Sequence, residues 1–332
     1  MNIVKIKNKI FNHYNLNQKE SLYLFEEIMS GNINDIELSS ILIGLRMKNE
    51  TKEDIIGAAK IMREKSLKIN SPENTVDTCG TGGDMSNTLN ISTSASIVAA
   101  SAGAIIAKHG NRSVRSKSGS ADMLEKLGYK ITADAVELEK SLNEKNFCFL
   151  FAQNHHSAMK NVINVRKILA TRTIFNLLGP LTNPANSKNQ LLGVFDKKWL
   201  KIHCEALKEL GSHKAMVVHG IDGLDEITLT TNTLIVELKN NTIEEYIFNP
   251  TDFGYEYIKI ETIKGGDSNY NAKCFVEMLD GNFPNFLKIV EINAGAALYL
   301  GKIADNLKEG FDLAKKVIKE GRAKNYLNEL IT

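Results

Sequence analysis

Thr75-Val76-Asp77-Thr78-Cys79-Gly80-Thr81-Gly82-Gly83-Asp84 is the stretch on which the fold turns. A short β-compatible run, residues 75–78, leads straight into three glycines in four positions. Glycines spaced this way let backbone N–H groups converge on an anion with no side chain in the way. The loop lacks the G-K-[ST] ending of a Walker A motif and is not G-x-G-x-x-G. Next comes Asn90-Ile91-Ser92-Thr93-Ser94, placed where a helix begins ahead of Ala95, Ile97 and Val98. A helix N-terminus rich in hydroxyls and free N–H groups is a second anion site.

Working outward toward the C-terminus, β-compatible runs at 104–107, 147–151, 190–195 and 215–219 alternate with helical stretches such as 134–145 and 198–210. That alternation indicates an α/β layer with a largely parallel sheet. Residues 234–238 and 242–248, separated by Lys239-Asn240-Asn241, read as an antiparallel hairpin added to it. Helical stretches at about 156–178, after Gly265-Gly266-Asp267, over 285–300 and over 307–331 complete this part.

Toward the N-terminus the texture is helical. Asn17 precedes Leu22, Phe25, Ile28 and Met29 at helical spacing, closed by Gly31. A second helix carries Leu38, Ile41, Leu42 and Leu45, and Thr51 with Asp54 reads as a capping box opening a third that runs to about Leu67. The expected fold is therefore a small all-helical domain plus a larger α/β domain, its central, largely parallel but mixed sheet surrounded by helices. Residues 1–70, joined in space by about 156–184, make the first; 71–155 and 185–332 make the second.

The 332 residues are 43% hydrophobic, with 41 basic and 39 acidic side chains. A dedicated nucleic-acid binder would carry a stronger basic excess. No run reaches the roughly 18 apolar residues that span a bilayer. The N-terminus shows no apolar leader segment. Cys79, Cys148, Cys204 and Cys274 are scattered, with no C-x-x-C pair, as expected of reduced thiols in a cytoplasmic protein.

Two further clusters carry chemistry. Lys108-His109-Gly110-Asn111-Arg112-Ser113-Val114-Arg115-Ser116, with Ser120 beyond it, ends the strand after the Asn90 helix, at the sheet edge where α/β proteins bind ligands. Three phosphate-suited loops so close together imply a substrate with more than one phosphate group. Gly223-Leu224-Asp225-Glu226 follows a later strand. Its adjacent carboxylates are hard oxygen ligands suited to Mg²⁺ shared with substrate phosphates.

Taken in order, the Cys79-to-Asp84, Asn90-to-Thr93, Lys108-to-Arg112, Gly119-to-Asp122, Arg172-to-Pro184 and Gly223-to-Glu226 motifs closely resemble the anthranilate phosphoribosyltransferases. The resemblance spans essentially the whole chain, the late Gly265-Gly266-Asp267 included. It implies a homodimeric enzyme of tryptophan biosynthesis that joins anthranilate to phosphoribosyl pyrophosphate (PRPP), releasing pyrophosphate. By this resemblance Gly80, Gly83, Asp84, Thr88, Asn90, Ile91, Ser92 and Thr93 contact PRPP. So do Lys108, His109, Gly110, Asn111, Arg112, Ser113, Val114, Arg115, Ser116 and Ser120. Ser92, Asp225 and Glu226 match Mg²⁺ positions, two ions per site. Gly80, Asn111 and Arg166 match anthranilate contacts, with His109 and His156 in motifs lining that pocket. No residue is assigned as acid or base. Met85 stands where glycine is commoner in the family.

Two other readings use the same scaffold. A pyrimidine nucleoside phosphorylase would share the glycine loop but carries an extra C-terminal domain, and would phosphorolyse thymidine or uridine. A non-catalytic nucleic-acid-binding relative would show a basic groove and would tolerate loss of Asp225 and Glu226.

Overall fold

The computed structural model describes residues 1–113 and 117–332. Seven strands form one sheet: β1 (Val76–Thr78), β2 (Ile106–Gly110), β3 (Phe147–Phe151), β4 (Asn189–Gly193), β5 (Lys214–Gly220), β6 (Thr233–Lys239) and β7 (Thr242–Phe248). Their order is β3-β2-β1-β4-β5-β6-β7. β3 through β5 run parallel, Val76 lying opposite both Ile106 and Asn189, and β6 and β7 add antiparallel. The hairpin turn uses Asn240 and Asn241 at φ 51° and 61°, the left-handed pair that asparagine tolerates in a two-residue turn.

Both faces of the parallel strands are covered, so β3 and β4 are buried along their whole length and read as continuous runs rather than alternating ones. Val76, Ile106, Phe147, Phe149, Leu191 and Met216 pack under the helices Ile91–Ser101 and Pro284–Leu300. Burial of a side chain such as Phe147 or Phe149 contributes roughly 1.5–3 kcal/mol. On the other face Ala107, Cys148 and Leu150 meet Leu138 and Leu142 of Ala135–Lys145, while Leu192, Val194, Ala215 and Val217 meet Trp199–Glu209 and the N-terminal helices.

Those N-terminal helices are Ile3–Phe11, Gln18–Met29, Asp35–Lys48 and Lys52–Glu64. The capping boxes at Asn17/Glu20 and Thr51/Asp54 are both formed. Val162 and Val165 of the helix Lys160–Leu169 join the same apolar cluster. The architecture is the expected small helical domain beside a larger α/β domain with a mostly parallel, mixed sheet. Among the described residues no helix is long and apolar enough to cross a membrane.

Four helix boundaries differ from the sequence reading. Ile3–Phe11, capped by the Asn2 side chain, buries Ile6 and Ile10 and has no counterpart in that reading. The helix opened by Thr51 stops at Glu64, not Leu67. The 156–178 stretch is broken: Lys160–Leu169 ends on Ala170 at φ 47°, and a short turn precedes Phe175–Leu178. The 307–331 stretch is two helices, Leu307–Lys319 and Arg322–Ile331, divided by Gly321 at φ 72°.

The position of the site follows from the strand order. β1 leads through Ile91–Ser101 on one face of the sheet, whereas β4 leads through Trp199–Glu209 on the other. Chain segments leaving adjacent strands in opposite directions open a crevice at their carboxyl ends, the place where ligands bind in open α/β sheets.

Candidate active site

The glycine loop leaves β1 at this crevice and is tied to β4. Cys79 N–H donates to the Leu191 carbonyl (3.1 Å) and Thr81 N–H to that of Gly193 (2.9 Å). Gly82 and Gly83 take φ 63° and 79°, and Gly82 N–H donates to Asp225 Oδ2 at 2.7 Å. A Cβ on Gly80 would stand 2.5 Å from that same carboxylate oxygen, so only glycine lets the loop approach Asp225. Met85 sits at φ 60°, a left-handed conformation that glycine would adopt without strain.

Asp225 and Glu226 enter from the loop after β5. Glu226 Oε1 accepts from the Ser92 N–H (3.1 Å) at the start of Ile91–Ser101. Lys108, buried on β2, spends its ammonium on the Thr78 carbonyl and lies 3.5 Å from Ser92 Oγ. Burial, reinforced by Asp84, raises the Asp225 carboxyl well above its ordinary range; burial and then Asp225 raise Glu226. Lys108 offsets only part of this. Neither carboxylate has an ion-pair partner among the described residues.

Thr93 and Ser120 meet hydroxyl to hydroxyl at 3.0 Å, which joins the helix Ile91–Ser101 to Ser120–Leu127. Thr88 bridges Lys264, and Leu89 N–H donates to the Ile263 carbonyl. Asn111 Oδ1 accepts from the Arg112 N–H at 2.8 Å. The Arg112 guanidinium is engaged by Asp122 (2.9 Å) and Glu125 (2.6 and 2.7 Å), so a phosphate would have to compete with two carboxylates for it. A Cβ on Gly110 would meet the Phe149 ring at 2.8 Å. Ser113 N–H donates to Asp122 Oδ2. Val114, Arg115 and Ser116 lie outside the described residues.

His109 and His156 form an edge-on pair with ring centres 5.2 Å apart and Nε2 atoms 3.3 Å apart. His109 Nδ1 is 3.0 Å from the Gly179 carbonyl, which can only accept, so the proton of the neutral ring sits on Nδ1 and Nε2 is left as an acceptor. Burial pushes His156 down to about 4 and His109 well below the usual imidazole range. The pair presents an uncharged wall. Beneath it, Asp77 accepts from the His109 N–H (3.0 Å) and pins β1 to β2.

Arg166 lies on Lys160–Leu169 with its guanidinium 5.6 Å from the centre of the Phe175 ring. That guanidinium has no hydrogen-bond or ion-pair partner among the described residues, and partial burial lowers its pKa. A half-buried guanidinium lacking an acceptor is poised for a carboxylate. Two residues not singled out as site groups also converge here. Arg172 donates to the Gly83 carbonyl and stacks 3.9 Å over Phe195, and Asn271 reaches Asn90. Both come from distant segments, and for Arg172 only its place in a family motif pointed toward the site.

The family model described as glycosyl transferase family, helical bundle domain, matches residues 4–66; that described as glycosyl transferase family, a/b domain, matches residues 72–324. Fold and site thus define a glycosyl transferase of the two-domain type. Over 324 residues, 97% of this chain and 96% of the relative, the sequence is 47% identical to an anthranilate phosphoribosyltransferase of Thermoanaerobacter sp. (strain X514). The crystal structure of anthranilate phosphoribosyltransferase from Thermus thermophilus matches with a TM-score of 0.92 at 35% identity, covering 98% of each chain. That of Saccharomyces cerevisiae in complex with PRPP and Mg matches with a TM-score of 0.89 at 27% identity, covering 99% of this chain and 96% of that one. The chain belongs to the anthranilate phosphoribosyltransferase family.

Proposed function

We propose that the family's reaction runs in the crevice between the carboxyl ends of β1 and β4. The chain transfers the phosphoribosyl group of PRPP to the amine of anthranilate, yielding N-(5-phosphoribosyl)anthranilate and pyrophosphate in tryptophan biosynthesis. The observation that carries this assignment of the site is the convergence of Asp225 on the glycine loop and of Glu226 on the Ser92 N–H, neither carboxylate having an ion-pair partner among the described residues.

Those carboxylates, with Ser92, fit Mg²⁺, two ions per site: they are hard oxygen donors, adjacent, half-buried and short of positive partners. Bound Mg²⁺ supplies neutralisation of the charge that develops on pyrophosphate as it leaves. Gly80, Gly83, Asp84, Thr88, the 90–93 segment, the 108–116 loop and Ser120 hold PRPP. Arg166 grips the carboxylate of anthranilate, and Gly80, Asn111, His109 and His156 shape its pocket. The amine already carries its lone pair, and the ribose passes through an oxocarbenium-like state. The residues therefore act by positioning and by charge. The decisive assay is loss of anthranilate fluorescence on adding PRPP and Mg²⁺; no loss at any PRPP concentration would contradict the assignment.

Residues 1–70 with about 156–184 serve as the helical domain, and 71–155 with 185–332 as the substrate-binding α/β domain. The helical domain pairs two chains into a homodimer. Exposed Phe11, Ile36, Met47, Ile163 and Ile168 support this, because a lone chain would leave that apolar surface in water. Sedimentation at a single chain's mass across micromolar concentrations would contradict it. Four free thiols support a cytoplasmic setting.

A further inference from the structure

Gly265-Gly266-Asp267 lies far along the chain from the phosphate-suited loops, yet it folds back onto them. A Cβ on Gly265 would stand 2.5 Å from the Thr88 carbonyl oxygen, so glycine is what allows the turn to lie this close. Asp267 then caps the helix Ser268–Leu279, which carries the buried Asn271. The Asn271 carboxamide accepts from the Gly266 N–H (2.8 Å) and donates to Asn90 Oδ1 (2.8 Å). Asn90 is held from a second side: its Oδ1 accepts from the Ser118 hydroxyl (3.2 Å) and its Nδ2 donates to the Ser118 carbonyl (3.3 Å).

An asparagine preceding a helix ordinarily turns its side-chain oxygen onto the N–H groups of the first turn. Asn17, Asn34 and Asn306 do so in this chain. Asn90 makes no such bond to the helix Ile91–Ser101. Its oxygen is already taken by Asn271 and Ser118.

We propose that Asn271 is a positioning residue for PRPP binding. By holding the Asn90 carboxamide away from its own helix, it keeps the first turn of Ile91–Ser101 from capping itself. The bonds from Asn90 to Ser118 hold that residue beside the turn as well. The inference rests on the reading of this crevice as the PRPP site.

Asn271→Asp tests it, because aspartate keeps the size and the acceptor for Gly266 N–H but removes the donor to Asn90. Calorimetry with PRPP and Mg²⁺ should show affinity falling roughly tenfold in Asn271→Asp and Asn271→Ala, an ordinary consequence of one lost hydrogen bond. The KM for PRPP should rise in step, while kcat at saturating PRPP and the KM for anthranilate stay within about twofold. In an Asn90→Ala background, Asn271→Asp should have no further effect, since no side chain remains to be held back. A folded Asn271→Asp protein with unchanged PRPP affinity overturns the inference, as does an effect that adds in full to that of Asn90→Ala. Failure of the unaltered chain to bind PRPP would instead overturn the underlying reading of the crevice.

Discussion

Two carboxylate sites, one buried in the helical bundle and one half-buried in the crevice, handle charge in opposite ways. Asp54 and Lys48 pair at 2.6 Å with both side chains fully buried. Asp54 also accepts from the Thr51 N–H (2.9 Å) and the Ser21 hydroxyl (3.2 Å), so the bundle settles its charge within itself. Asp225 and Glu226 accept from the Gly82 and Ser92 N–H groups, while the Lys108 ammonium is already committed to Thr78. Burial and then Asp84 push the Asp225 carboxyl up; burial and then Asp225 push up that of Glu226. A cluster that satisfies itself is architecture; one left in deficit is built for something that arrives.

The largest effect expected is on activity. Asp225→Ala with Glu226→Ala should lower kcat/KM by about 10³-fold or more, the scale on which charge stabilisation at a leaving group acts. Its melting temperature should hold or rise, because repelling carboxylates are removed. Retained activity at ordinary Mg²⁺ would break the contrast. Asp54→Ala should do the reverse: removing one partner of a buried pair costs about 3–5 kcal/mol of stability. Urea denaturation measures this, and the folded fraction should keep its kcat.

Glu291 sharpens the contrast by showing a raised carboxyl that belongs to the core. Buried on Pro284–Leu300 with Tyr255 as its partner at 3.4 Å, it is pushed from 4.5 to about 7 by burial. The folded state therefore keeps a proton that the unfolded chain has lost, and stability falls as pH climbs from 4.5 to about 7. Glu291→Gln should remove that slope and raise stability at pH ~8 by up to about 3 kcal/mol. Urea midpoints that decline equally with pH in both proteins would contradict this. The smallest expected effect is that of Arg166→Ala. Losing a charged hydrogen bond of about 1.5–3 kcal/mol should weaken anthranilate binding about 10- to 150-fold and leave PRPP affinity nearly unchanged. Impaired PRPP binding with anthranilate spared would place Arg166 on the phosphate side.

Much of the fold was legible because its signals are local. β3 and β7 fall where continuous or alternating β-formers stand, and Asn17, Thr51 and Asp134 open their helices as capping residues should. The breaks were harder to read. Gly321 divides two helices whose apolar pattern runs on, and Ala170, a good helix former, takes φ 47° where the chain turns to bring Arg172 onto the glycine loop. Arg46 holds that turn through the Arg172 carbonyl (2.9 Å), a contact across 126 residues that no local pattern encodes. In the site, the glycine and hydroxyl loops announced themselves by composition. Asn271 and Glu125 did not, because each acts on a residue far off in sequence, Asn90 and Arg112, that it meets only once the chain is folded.

On the proposed reading, the carboxylates of Asp225 and Glu226 are what bind Mg²⁺ and PRPP together. Titrating PRPP calorimetrically into the unaltered chain and into the Asp225→Ala/Glu226→Ala variant, with and without Mg²⁺, tests it most directly. Mg²⁺ should strengthen PRPP binding to the unaltered chain and have no such effect on the folded variant. The same Mg²⁺ enhancement in both proteins would contradict it.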